Sequence, residues 1–275
     1  MKKGNLKSCF LCNGSSMETK KNILKRPLKE TDFLISNTQY NRTIRKCKAC
    51  GIFLNQYEYD LNSLYKKVYN ERKYANNLRK HFDNIISLPY SKSDNKQRIE
   101  RINNYLIKKS KSLKDMSVLD IGSGLCVFLA ELKKYCKSVT CIDPSANAIN
   151  HAKNYVGIEN SIKGNFDNLI LNKKYDLITL NKVLEHLKNP NGILQKAKSM
   201  LNPNGYIYVE VPDGDNASKK GGFINREEFY IEHYTIFNLV SFNYLARKAK
   251  LNIDEVESIH EPSDKYTIYG FLSIK

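Results

Sequence analysis

The stretch "VLDIGSGLC", residues 118–126, constrains this chain more than any other. Val118, Leu119 and Ile121 read as a short buried strand. Gly122 and Gly124 then permit a tight turn and let the backbone approach a ligand without interference from a Cβ. From Leu125, "LCVFLAELKKYC" spaces its apolar residues as a helix does. Strand, glycine turn and helix form a nucleotide-binding βα unit, with its ligand near the helix N-terminus. A dinucleotide fingerprint would need a third glycine at 127, where the chain has Val127.

Three later segments extend the pattern. "SVTCID" (138–143) reads as a second strand ending in an acid. Asp143 follows Asp120 by 23 residues, near the offset of about 20 at which a ribose-binding acid is expected. A carboxylate there can accept hydrogen bonds from both ribose hydroxyls. "IKGNFDNL" (162–169) and "YDLITLNKVLEHL" (175–187) follow in order. On these motifs the chain resembles the class I S-adenosylmethionine (SAM)-dependent methyltransferases. The resemblance implies that Asp120, Gly122 and Gly124 hold the methionine end of SAM, and that Asp143 holds the ribose. It also implies that Asn165 accepts from the adenine amine, that Phe166 covers the ring, and that the backbone around Asn181 lines the pocket. The family's third glycine is usual at position 126, which is Cys126 here. A small side chain there leaves the loop room.

Net charge is +17, and it is unevenly placed. Residues 1–115 hold 26 Lys/Arg against 10 Asp/Glu, and residues 116–275 hold 19 against 18. Such asymmetry suggests an anionic partner: substrate phosphates, nucleic acid or a membrane surface. A solvated Lys- and Asn-rich surface accounts for it as well, because the lysines are scattered. No apolar run reaches 18 residues and no signal peptide is read, so a cytoplasmic protein without a membrane span is expected.

Seven cysteines are present. Cys126, Cys136 and Cys141 fall in the βαβ unit and read as small core residues. Cys9, Cys12, Cys47 and Cys50 form two C-x2-C pairs separated by 34 residues. Paired knuckles of this kind suit a tetrahedral, structural Zn²⁺. Disulfides are the rival, disfavoured in a cytoplasmic enzyme.

The expected organisation is a zinc ribbon over 1–56, a helical connector or lid over 57–115, and a SAM-dependent methyltransferase domain over 116–275. The fold class is α/β: a Rossmann-like seven-stranded sheet, its last strand antiparallel, with the small N-terminal module attached. "RTIRKCKACGIFLNQ" predicts a hairpin across the second knuckle. "GYIYVEVPD" predicts a fifth strand, "FNLVSFNYLARKAK" an amphipathic helix, and "LNIDEVESI" and "KYTIYGFLSI" two final strands. The ribbon, the glycine turn, "LEHL" and a late "EHYTIFN" (232–238) are similar to zinc-ribbon methyltransferases of sugar and polysaccharide biosynthesis. C-methyltransferases of that group are longer, so O-methylation of a phosphorylated or nucleotide-linked small molecule fits at least as well.

Methyl transfer to a hydroxyl gains from a base near neutral pH, and histidine is the usual choice. His233, in "FYIEHYTIF", ranks first and His186 second, with Glu185 and Glu232 orienting them or accepting substrate hydroxyls. His151 is expected at the surface. No N/D-P-P-Y motif follows the fourth strand, which disfavours exocyclic-amine methylation. Two other readings stand beside this one. In the first, an RNA methyltransferase docks through its basic zinc module. In the second, a SAM-fold subunit supports a partner without catalysis.

Overall fold

The computed structural model describes residues 8–36, 39–58 and 78–275. The expected connector is therefore seen from residue 78 onward, and its segment 59–77 lies outside the described residues.

The strands are β1 (Met17–Ile23), β2 (Arg42–Cys47), β3 (Phe53–Gln56), β4 (Ser117–Ile121), β5 (Ser138–Asp143), β6 (Asn160–Lys163), β7 (Tyr175–Asn181), β8 (Leu201–Pro212), β9 (Thr235–Ile236), β10 (Leu251–His260) and β11 (Tyr266–Ile274). The α-helices are α1 (Leu78–Ile86), α2 (Asp94–Lys108), α3 (Val127–Leu132), α4 (Ala146–His151), α5 (Pro190–Ser199), α6 (Gly214–Ser218) and α7 (Leu239–Lys248).

Seven strands form one sheet in the order β10-β11-β8-β7-β4-β5-β6. β4 to β8 pair in parallel, and β11 runs antiparallel to both β8 and β10. The expected antiparallel last strand is thus present. Alternation along the strands supplies two cores. Leu119, Ile121, Ile178, Leu180, Ile207 and Val209 join one cluster, covered by α5 and α7. Val118, Leu177, Tyr206 and Tyr208 join the other, covered by α1, α2 and α3. A sheet buried on both faces explains why its strands read as unbroken apolar runs.

Helix α2 shows why the connector is part of this core. Ser93 caps it by accepting from the Lys96 amide. Asp94 in its first turn and Lys108 in its last suit the helix dipole. Arg98, Ile102, Tyr105 and Leu106 form its buried face. Ile99 beside that face is half-buried, and Arg98 faces the sheet.

The N-terminal strands pair as an antiparallel sheet in the order β1-β2-β3-β9. The expected hairpin is β2–β3, paired from Thr43–Gln56 to Lys46–Phe53. Its outer neighbour comes from far along the chain: Phe53 and Leu54 pair with Ile236 and Thr235 of β9. Gly214, opening α6, meets this hairpin so closely that a Cβ would lie 2.8 Å from the Phe53 ring.

His151 departs from expectation. It is buried, with its ring 5.2 Å from those of both Phe82 and Tyr155. Helix α1 supplies Phe82 and covers a helix face that looked solvent-facing from its own sequence.

Candidate functional site

Strand order reverses between β4, which leads to β5, and β7, which leads to β8. Ligands of open α/β sheets bind at such a switch point, beyond the carboxyl ends of the strands. The glycine turn stands at the end of β4, and Asn181 and Lys182 at the end of β7.

Gly122 and Gly124 both take positive φ, +74° and +51°. A Cβ on Gly122 would lie 2.7 Å from Val183 Cγ2, so glycine is required twice over there. Cys126 also lies in the left-handed region, at φ +57°. A non-glycine residue costs about 1–2 kcal/mol there, which explains why the resembling family prefers glycine. The Asp143 carboxylate holds the turn from below, accepting from the Gly124 amide at 2.9 Å and the Ser145 amide at 2.8 Å.

Asp120 is buried and ties the two strand ends together. Its Oδ1 accepts from Thr179 Oγ1 at 2.6 Å and from Asn181 Nδ2 at 3.1 Å. Burial pushes its carboxyl up to about 6. Asn181 Oδ1 is buried and has no partner among the described residues. An orphan acceptor of this kind wants a donor, and the ammonium of a SAM methionine moiety would supply one. Asn165 is exposed, whereas Phe166 is buried in the core with the Lys196 ammonium 5.1 Å from its ring centre.

Three of the sequence-predicted residues, Glu185, His186 and His233, are brought together although 233 is distant in sequence. One potential ligand atom of each lies within 4.8 Å of the others, and the two imidazoles sit 4.7 Å apart, edge to face. His233 is buried, and its Nδ1 lies 2.9 Å from the Glu228 carbonyl. A carbonyl only accepts, so Nδ1 carries the proton and Nε2 the lone pair. His186 has the same arrangement, with Nδ1 3.0 Å from the Glu232 carbonyl. Burial, then the neighbouring His186, hold His233 well below the usual histidine range, so it is neutral at pH 7. Glu185 is fully buried, with neither carboxyl oxygen partnered among the described residues. Burial raises it to about 8, against the opposing charge of Lys182. Lys182 itself has φ +58°, an uncommon conformation for a non-glycine residue and one found at functional sites. Its ammonium acts on both Glu185 and His233 and donates to Thr267 Oγ1. Two imidazoles and a carboxyl at this spacing suit proton transfer or metal ligation.

The four N-terminal cysteines converge as well. Cys9 Sγ lies 3.7 Å from Cys50 Sγ, and Cys12 Sγ lies 3.6 Å from Cys47 Sγ. Thiolates about 2.3 Å from one central ion, tetrahedrally arranged, have sulfur–sulfur edges of about 3.8 Å. The geometry therefore fits a tetrahedral thiolate metal centre. No disulfide joins any of the seven cysteines in this structure. Gly51, at φ +74°, closes the second knuckle. The Gly14 amide points at Cys12 Sγ, 3.4 Å away.

Residues 91–256, more than half of the chain, match the methyltransferase-domain family. The chain belongs to the methyltransferase-domain family. Among curated proteins, this chain is similar to the ubiquinone biosynthesis O-methyltransferase of Rickettsia bellii. The two are 30% identical over 147 residues, 49% of this chain and 60% of that protein. The protein of that name from Haemophilus ducreyi is 28% identical over 117 residues, 38% of this chain and 49% of that protein. The chain thus spans about half the length of the curated relatives it matches. Its fold is shared with a SAM-dependent methyltransferase from Clostridium acetobutylicum. There the TM-score is 0.57 at 14% identity, over 72% of this chain and 99% of that one. It is shared also with magnesium protoporphyrin IX methyltransferase from Synechocystis, solved with S-adenosylhomocysteine. That match has a TM-score of 0.57 at 12% identity, over 78% of this chain and 100% of that one.

Other buried residues near the cluster of Glu185 and His233 carry no signal in the sequence. Glu210 of β8 is fully buried and takes Arg98 at 2.5 Å and Arg101 at 2.9 Å. Burial alone would raise its carboxyl, but Arg98 above all, with Lys182 and Arg101, holds it down at about 2. Glu261 is buried nearby with both oxygens unpartnered among the described residues. No local spacing marks these residues; they meet only through the fold. The one available signal was Lys182, a lone cation directly after an apolar strand.

Proposed function

We propose that the protein transfers the methyl group of SAM to a hydroxyl of a small-molecule acceptor, with His233 as general base. The reading is carried by the buried, neutral His233, whose Nδ1 is fixed on a carbonyl and whose basic Nε2 is left for the acceptor. The acceptor oxygen attacks the sulfonium methyl in line. The carbon–oxygen bond forms as the carbon–sulfur bond breaks, S-adenosylhomocysteine leaves, and the hydroxyl proton passes to His233 Nε2. Because the cofactor arrives activated, positioning supplies much of the remaining catalysis. The glycine turn, Asp120, Asn181 and Asp143 bind SAM in this reading, with Asn165 and Phe166 at the adenine. His186 and Glu185 shape the acceptor side. The relatives named O-methyltransferases support oxygen as the methyl acceptor.

The acceptor class read from the sequence is a phosphorylated or nucleotide-linked sugar of polysaccharide biosynthesis. The names of the relatives suggest a quinone-type phenol instead, and the basic N-terminal region suggests RNA. Incubation with methyl-labelled SAM and three separate pools, nucleotide sugars, phenolic lipids and unmodified RNA, tests the proposal. Label is expected among the small molecules. Label confined to RNA would overturn the reading.

The four cysteines are assigned a structural Zn²⁺. Metal analysis of the chain purified without added metal is expected to return about one zinc per chain, and none for Cys9→Ser/Cys12→Ser. A metal-free, folded wild-type chain would refute the assignment. Among the described residues, no helix is long and apolar enough to cross a membrane.

A further inference from the structure

The segment that carries His233 has little regular structure of its own. It runs from a single 3-10 turn at Glu227–Phe229 to the two-residue strand β9. Local turns, His186 and Tyr266 hold part of it, and the N-terminal module supplies a further set of contacts to its backbone. Arg42, at the start of β2, is 1% exposed. Its Nη1 donates to the Phe229 carbonyl and to Asn55 Oδ1, both at 2.7 Å. Its Nη2 meets Glu30 Oε2 at 2.8 Å, and its Nε donates to the Tyr40 hydroxyl at 2.7 Å. The partners reach onward to the same segment. Glu30 Oε2 accepts from the Ile231 amide at 2.7 Å. Asn55 Nδ2 donates to the Tyr230 carbonyl at 3.0 Å and to the His233 carbonyl at 2.8 Å. The Asn55 amide donates to the Tyr234 carbonyl at 3.1 Å. Backbone groups of 229, 230, 231, 233 and 234 are thereby held by Arg42, Glu30 and Asn55.

We infer that Arg42 is a positioning residue for methyl transfer: with Glu30 and Asn55 it fixes the 229–234 backbone and so sets the His233 imidazole against His186. The inference rests on the reading of His233 as base. Guanidinium suits the task because its planar fork serves four acceptors at fixed angles and keeps its charge when buried. An ammonium in its place cannot reach all four. β2 runs from Arg42 to Cys47, a member of the cysteine centre. The hairpin is therefore a rigid arm with the thiolates at one end and the histidine segment at the other.

Arg42→Lys tests this, because charge is kept and the fork is lost. SAM affinity by calorimetry should stay within about twofold while kcat falls by about tenfold or more, as expected for a misplaced reacting group. Asn55→Ala, which leaves the Arg42–Glu30 pair in place, provides a second variant should Arg42→Lys fold poorly; the same split is expected. The deciding readout is the cycle with His233→Gln. If Arg42 acts through His233, Arg42→Lys should cost little further in the His233→Gln background. Full kcat in folded Arg42→Lys and Asn55→Ala would overturn the inference. So would an equal fall in SAM affinity and kcat, or a fully additive double variant. Full activity of His233→Gln alone would instead overturn the reading of the base, so the two failures are distinguishable.

Discussion

Replacing His233 with glutamine should lower kcat by roughly 10²–10⁴-fold, the usual contribution of a positioned general base, and leave SAM affinity nearly unchanged. Glutamine keeps a polar side chain of similar reach but offers no basic nitrogen. In the proposed reading His233 serves the acceptor, and its segment contributes none of the residues assigned to SAM, so binding and chemistry should separate. The pH profile adds a second check. His233 must be neutral to accept a proton, and burial and His186 depress it well below 6.5. The wild-type rate should therefore stay level as pH falls through 6.5 and drop only at more acid values. The same depression makes the unfolded chain bind the proton more readily, so this histidine lowers stability as pH falls below 6.5. Unchanged turnover in His233→Gln, or an acid limb at the ordinary histidine value, would remove it as the base.

Glu210→Gln is expected to destabilise the protein by about 3–5 kcal/mol, the cost of breaking a buried ion pair from one side. Glu210 is fully buried and is the carboxylate that Arg98 and Arg101 both use. Removing its charge strands the Arg98 guanidinium between α2 and the sheet. Urea unfolding should show the loss as a lower midpoint with an unchanged slope. The double variant Glu210→Gln/Arg98→Met should recover part of it, because the more buried of the two guanidinium groups is removed with its partner and Arg101 alone loses its carboxylate. The sign of the pH dependence follows from the direction of the shift. With its folded value held near 2, Glu210 stabilises the fold above the usual glutamate range. That contribution is lost as pH falls toward 2. A single variant within about 1 kcal/mol of wild type would show that water reaches the pair.

Local patterns carried most of what the sequence revealed. The glycine turn declared itself because Gly122 and Gly124 serve a backbone that other residues resist. Asp143 was visible as an acid closing an apolar run, and the cysteines as two pairs at knuckle spacing. Each signal lies within a few residues of itself. Arg42, Glu30, Arg98 and Glu210 had no such signature in a chain with 45 Lys and Arg. Their roles come from partners 12 to 187 positions away. His151 was misplaced for the same reason, since the helix that buries it lies outside its own βα unit. β9 is too short, at two residues, for alternation to reveal it. The His186–His233 pairing was reachable only by joining two motifs through the resemblance, and then only as neighbours of one pocket.

The strand shared between β3 and β9 bears on how the chain is made. Leu54 finds its partner in Thr235, about 180 residues later. During synthesis, β1, β2 and β3 leave the ribosome long before β9 exists. The hairpin then waits with the Phe53–Gln56 edge unpaired, an edge that invites association with other chains. Cysteine ligation could hold the hairpin in that interval, but it cannot close the edge. The last piece of that sheet is thus supplied by a segment made about 180 residues after the hairpin. Such long-range closure slows folding, and a nascent chain released before residue 236 would expose the edge that the finished protein covers.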